Sequence, residues 1–243
     1  MPDLIGLVLI VGLAFTVEAA AGFGATLIAV TLAAQQSPVA DVLAVFLPVN
    51  LLLSAWLVVR YHRAVDRGLL FRSILPWMGA GFLGGLALFR LGDPAWLKRS
   101  FGGFVVVLSL VELARRGTPP PLSVWARRAI LVGAGVVHGL FATGGPLVVW
   151  VVGREGGGKA QFRATLAAVW LCFGVGLVGS YVVSGTVTAT TLGTSAVLLL
   201  PLVGGLLLGE WLHLRVPPAP FRAAVFVLLL GAGMVLVRGT LAG

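Results

Sequence analysis

The stretch His138-Gly139-Leu140-Phe141-Ala142-Thr143-Gly144-Gly145-Pro146-Leu147 interrupts an apolar run that extends from Ala129 to Val152. A helix does not pass through Gly-Gly-Pro intact. Relative to alanine, glycine costs about 1 kcal/mol and proline about 3 kcal/mol in a helix interior. An earlier run, Leu4–Ala34, is interrupted in the same way by Ala21-Gly22-Phe23-Gly24-Ala25-Thr26, about 120 positions upstream. Hydrophobic segments broken by Gly and Pro at corresponding places in two halves of a chain point to the binding site of a membrane transporter.

Composition agrees. The chain has 243 residues, 59% hydrophobic and 10% charged, against about 25% charged in a soluble domain. Its polar side chains are too few to cover a water-exposed globule. Several runs approach or exceed the roughly 20 apolar residues that cross a bilayer. The expected class is an all-α polytopic membrane protein; a β-barrel would show alternating segments of about 10 residues. The net charge of +9 resides mostly in short loops, as the positive-inside rule requires, and implies no nucleic-acid partner. Asp3 stands where a signal peptide would have a basic n-region, so no cleavable leader is expected. Cys172 is the single cysteine, which excludes an intrachain disulfide and a cysteine metal cluster; it is expected to pack within its run. No metal or other cofactor is expected. The chain has no HExxH or GxSxG motif and three histidines, His62, His138 and His213, so an enzyme is not expected either.

The apolar runs are Leu4–Ala34, Val39–Val59, Leu69–Phe89, Leu97–Ala114, Ala129–Val152, Ala164–Val183, Leu192–Leu214 and Phe221–Val237. Arg115-Arg116-Gly117-Thr118-Pro119-Pro120-Pro121 begins the one long linker, because three prolines cannot continue a helix. This divides the chain into a first membrane repeat, 1–116, a linker, 117–127, and a second repeat, 128–243. Pro76, Gly79 and Gly84 form a P-x2-G-x4-G pattern that Pro201, Gly204 and Gly209 repeat 125 residues on, as a duplication would produce.

Orientation follows from the 17 Lys and Arg. If every run crosses the membrane once, 9 lie inside and 8 outside, which is no bias. If both broken segments enter and leave on the same side, 13 lie inside, and only Arg90, Lys98, Arg99 and Arg238 lie outside. The second arrangement obeys the positive-inside rule and makes the repeats inverted, each a broken or re-entrant hairpin plus three transmembrane helices.

A helix restarting after a break presents free N–H groups and the positive end of its dipole, which together receive anions. Glycine lets an oxyanion approach the backbone closely. The candidate substrate-binding residues are therefore Gly22, Phe23, Gly24, Ala25 and Thr26 at the first break, and Thr143, Gly144, Gly145 and Pro146 at the second. Asn50, in mid-run beside Pro48, and Arg163, before the sixth run, are further candidates. Glu18 and His138 are ionisable groups inside apolar runs, where such residues are costly. They fall at the same place when the halves are offset by 120, and are candidates for coupling transport to protons. Close helix packing through small residues is the alternative reading of the glycines.

At His138–Leu147, followed by Gln161-Phe162-Arg163-Ala164-Thr165-Leu166, the chain resembles the TauE/SafE sulfite exporter family, also called the 4-toluene sulfonate uptake permease (TSUP) family. The first break resembles that family less closely, because Ala25 and Thr26 stand where its members usually have another glycine and a proline. The resemblance implies a multi-pass protein of a bacterial or archaeal cytoplasmic (inner) membrane. It implies transport of small sulfur-containing anions such as sulfite, sulfoacetate or other organosulfonates. Joined to the reading of the residues, it leads to the expectation of a secondary exporter working by alternating access, with the anion at helix breaks near the midplane. An anion channel, or a transporter of carboxylates or sulfate-like ions, is the alternative. Beyond the anion and the lipid bilayer, the partners left open are protons and a second copy of the chain in a homodimer.

Overall fold

The computed structural model describes residues 4–114, 122–155, 158–215 and 218–241. Residues 117–121 of the linker lie outside them, with Arg115 and Arg116. The described residues form helices α1 (Leu4–Ala21), α2 (Ala25–Ala33), α3 (Val39–Tyr61), α4 (Arg67–Leu69), α5 (Leu75–Leu91), α6 (Pro94–Ala114), α7 (Val124–Phe141), α8 (Gly145–Val152), α9 (Lys159–Val183), α10 (Ala189–Val197), α11 (Leu199–Arg215) and α12 (Pro218–Leu241). A π turn, Leu70–Ile74, joins α4 to α5. Five helical stretches among the described residues are long and apolar enough to span a membrane. Large apolar side chains such as Ile5, Leu91 and Val183 are exposed. That suits a lipid solvent, since soluble monomers rarely expose contiguous apolar surface of this kind.

The chain forms two compact units, each drawing on both sequence halves. One comprises Met1–Phe46, Gly92–Thr118 and Ala189–Gly243. In it α1 lies against α11 so closely that a Cβ on Gly205 would meet the Gly12 carbonyl oxygen at 2.8 Å, and one on Gly209 would meet that of Thr16 at 2.4 Å. Residue numbers rise together, so these helices run the same way. Helices α6 and α12 run oppositely: a Cβ on Gly102 would meet Val237 at 2.9 Å, and one on Gly233 would meet Val105 at 3.0 Å. The Ser195 hydroxyl donates to the Val45 carbonyl at 2.7 Å, tying α10 to the start of α3.

The other unit comprises Leu47–Leu91 and Pro119–Thr188. Here α5 and α7 run the same way in backbone contact. A Cβ on Gly81 would lie 2.0 Å from the Val132 oxygen, and one on Gly85 2.3 Å from the Val136 oxygen. The two contacts correspond: Gly81 and Gly205 are 124 residues apart, and the carbonyls they cover, Gly12 and Val132, are 120 apart. Small residues on one helix face permit this approach, and without a hydrophobic force between helices in lipid it is what holds them together.

Gly79, Gly84 and Gly204 of the P-x2-G-x4-G pattern face open space, whereas Gly209 of that pattern is in contact, as are Gly81, Gly85 and Gly205, spaced i, i+4 on one face of each helix as contact requires. One expectation needs correction: Cys172 does not pack within its run but is exposed.

Candidate functional site

Each broken segment stops, reverses and restarts. After α1, Gly22 turns left-handed (φ +85°), and its N–H donates to the Glu18 carbonyl at 2.7 Å. After α7, Ala142 does the same (φ +56°), its N–H donating to the His138 carbonyl at 2.8 Å. A left-handed residue is a common way to end a helix. Gly24 is also left-handed (φ +107°), whereas Gly144 is not (φ −62°). Pro146 sits in the first turn of α8, where its missing N–H costs nothing.

The chain folds back at the second break. A Cβ on Gly144 would lie 2.4 Å from the Ala134 carbonyl oxygen, ten residues upstream; a continuing helix would separate them by about 15 Å. Arg127, at the start of α7, pairs with Glu155, just beyond α8, at 3.2 Å. The two ends of this hairpin therefore lie together. With 9 and 8 residues, α2 and α8 are each about 12–14 Å long, less than half of a roughly 30 Å hydrocarbon core.

Glu18 and His138 do matching work. Glu18 Oε2 accepts the Ala25 N–H at 2.9 Å, and His138 Nδ1 accepts the Gly144 N–H at 3.4 Å. Both reach forward to cap the restarting helix. At the first break the cap is a carboxylate, so the positive end of α2 already holds an acidic group. Ala25 is fully buried, so Glu18→Ala would strand its N–H; a buried donor left unsatisfied costs about 1–3 kcal/mol. The expected outcome is a lower thermal unfolding midpoint in detergent for Glu18→Ala, largely restored in Glu18→Gln, which keeps an acceptor oxygen. Equal loss in both variants would mean that charge, not the cap, matters.

The second break is different, because its cap is neutral and donors remain. His138 is 4% exposed and Thr143 3% exposed. His138 Nε2 and Thr143 Oγ1 are buried without a hydrogen-bond partner. Since Nδ1 accepts from Gly144, the neutral ring carries its proton on Nε2. The ring stacks on Trp170 at 5.6 Å and meets Phe173 edge-on at 5.9 Å, with Phe82 at 6.1 Å. Sequence reasoning missed this aromatic enclosure; Trp170 and Phe173 stand at i, i+3 on α9, a spacing that also fits plain core packing.

The remaining candidates lie elsewhere. Phe23 is half-buried and Thr26 buried, both in the unit holding the first break. Asn50 is half-buried on α3, and Arg163 half-buried in the second turn of α9. Two neighbours of Arg163 are structural. Gln161 donates to Asp66 Oδ2 at 3.0 Å, and Thr165 Oγ1 accepts the Asp66 N–H at 2.9 Å. They fasten α9 to the turn before α4. Among the described residues no cluster of His, Cys, Asp or Glu could hold a metal.

Compared with known families, residues 7–236 match the one described as sulfite exporter TauE/SafE. The match takes in both breaks and nearly every described helix. The chain belongs to the TauE/SafE family. This TauE/SafE protein is accordingly a multi-pass inner-membrane transporter and not an enzyme. Among curated proteins it is similar to "Probable inner membrane transporter protein TsaS" of Comamonas testosteroni, 28% identical over 172 residues, which cover 68% of this chain and 70% of that one. No solved structure matches it.

Proposed function

We propose that this TauE/SafE protein is a secondary transporter that exports small sulfur oxyanions, such as sulfite, sulfoacetate or another organosulfonate, across the inner membrane by alternating access. The substrate's oxyanion end is received at the restart of α8. One observation carries the reading: two buried donors, His138 Nε2–H and Thr143 Oγ1–H, lack partners at a helix N-terminus. Buried polar groups are nearly always satisfied, and a helix N-terminus favours negative charge. Both features are met by a bound anion. The sulfur chemistry rests on the family description, and export on its name. The chain carries no ATP-binding P-loop, so an ion gradient or the substrate's own gradient supplies the energy.

The test is sulfite and sulfoacetate flux in proteoliposomes carrying purified protein. A hydrogen bond to a charged group contributes about 1.5–3 kcal/mol, so Thr143→Val should weaken apparent affinity about tenfold or more. Thr143→Ser, which retains the hydroxyl, should stay near wild type. Unchanged transport by Thr143→Val in correctly inserted protein would refute the site.

A further inference from the structure

We infer that Arg128, held against Trp77 and Trp125 where α5 and α7 begin, binds the phosphate of one anionic lipid. The site is separate from the second break. Arg128 stands ten residues before His138 on α7, about 15 Å along the helix axis, and nothing in the site depends on the transported anion. The guanidinium carbon of Arg128 lies 4.7 Å from the ring centre of Trp77 and 4.9 Å from that of Trp125. Trp125 and Arg128 are i, i+3 neighbours on α7 and share a face. Trp77 comes from the first turn of α5, the helix that α7 meets in backbone contact. Aromatic rings attract the guanidinium through its charge and fix where it sits. They supply no oxygen acceptor to its five N–H groups.

The protein does not supply one either. Among the described residues, no carbonyl, hydroxyl or carboxylate accepts from the Arg128 side chain. The compact unit that holds it carries ten Lys and Arg against two acidic residues, Asp66 and Glu155. Both acids are engaged. Glu155 pairs with Arg127 at 3.2 Å, and Asp66 accepts from the Leu69 N–H and the Gln161 side chain. Arg128 is half-buried, so water reaches only part of it. A positioned guanidinium fork with open donors fits two oxygens of a phosphate. The surroundings point to a lipid phosphate. Trp125 is 75% exposed, and Val124 and Phe71 beside these helix starts are exposed too. Tryptophans of a membrane protein gather at headgroup level, and acyl chains cover the apolar surface below. Arg90 apart, the basic residues of this unit fall on the side that the re-entrant arrangement places in the cytoplasm. Basic pockets between transmembrane helices on that side take anionic headgroups.

The experiment is native mass spectrometry of the purified full-length protein, stripped of lipid in detergent and titrated with phosphatidylglycerol or phosphatidylcholine. The two share a phosphate and acyl chains, but choline brings a positive charge to a basic site. One phosphatidylglycerol should bind about tenfold or more tightly than phosphatidylcholine. Arg128→Gln should weaken phosphatidylglycerol about tenfold or more. Arg128→Lys, which keeps the charge and loses the planar fork, should also bind more weakly than wild type. Arg63→Gln removes the same charge from an exposed arginine of this unit and should bind like wild type. Equal affinity of wild type for the two lipids overturns the inference, and that comparison needs no variant to fold. Wild-type affinity in Arg128→Gln or Arg128→Lys also overturns it, as does equal weakening in Arg63→Gln, which would assign the binding to diffuse charge. Displacement of the lipid by millimolar inorganic phosphate would assign the site to a soluble anion and overturn the lipid.

Discussion

Alanine at Gly81 or at Gly135 is expected to abolish the folded protein in mild detergent or to lower its unfolding midpoint sharply. The added Cβ would sit 2.0 Å from the Val132 carbonyl oxygen in one case and 2.0 Å from that of Met78 in the other. Overpacking a core typically costs 1–3 kcal/mol, because side chains can shift to absorb part of it. At these positions the obstacle is backbone, and no rotamer relieves it. Helices α5 and α7 would have to separate along their whole contact, so a cost of about 3 kcal/mol or more is expected. Gly79→Ala and Gly84→Ala are the controls. They face open space, and surface substitutions stay within about 0.5 kcal/mol, with alanine favoured over glycine in a helix. The measurement is thermal unfolding with the yield of monodisperse protein. If Gly81→Ala and Gly79→Ala behave alike, the α5–α7 contact is wrong.

Both chain termini are expected on the extracytoplasmic face. A periplasmic-active enzyme fused at either end should be active, and a fluorescent protein that matures only in the cytoplasm should stay dark. The reasoning starts from the opposite directions of α6 and α12, seen where Gly102 meets Val237 and Gly233 meets Val105. Between them the chain passes through the α7–α8 hairpin, then α9, then α10 and α11. If the hairpin crossed the membrane, α6 and α12 would run the same way. If it enters and leaves on one side, they run oppositely, as observed. Because α1 runs with α11, the N-terminus then shares a face with the C-terminus. The same arrangement puts 13 of 17 basic residues inside, in accord with the positive-inside rule. Cytoplasmic fluorescence from either terminus would contradict it.

Much of the architecture was legible before any coordinate. The breaks fall where Gly22–Gly24 and Thr143–Pro146 place them, because glycine and proline act on the local backbone whatever surrounds it. The offset of 120 that aligns Glu18 with His138 also aligns the backbone bonds from Gly22 and Ala142 that end each helix, and the N–H groups their side chains cap, on Ala25 and Gly144, fall within one position of it. The P-x2-G-x4-G pattern marks the duplication and not the contact glycines, because contact requires one helix face and only Gly209 of the pattern lies on it. The occupied N–H groups were equally hidden. A glycine-rich break advertises free donors at both sites, but Glu18 reaches forward to the first, seven residues along a chain that has reversed direction.

The sequence by itself determined that this chain is a helical membrane protein and where its helices fail, since hydropathy and backbone propensity are local. It also supplied the family-like motif from His138 to Thr165. Tertiary structure alone decided which break is left with unspent donors. That depends on a carboxylate capping one restart, and on an imidazole capping the other while Trp170, Phe173 and Phe82 close around it. These partners come from separate helices, and nothing short of their packing brings them to one place.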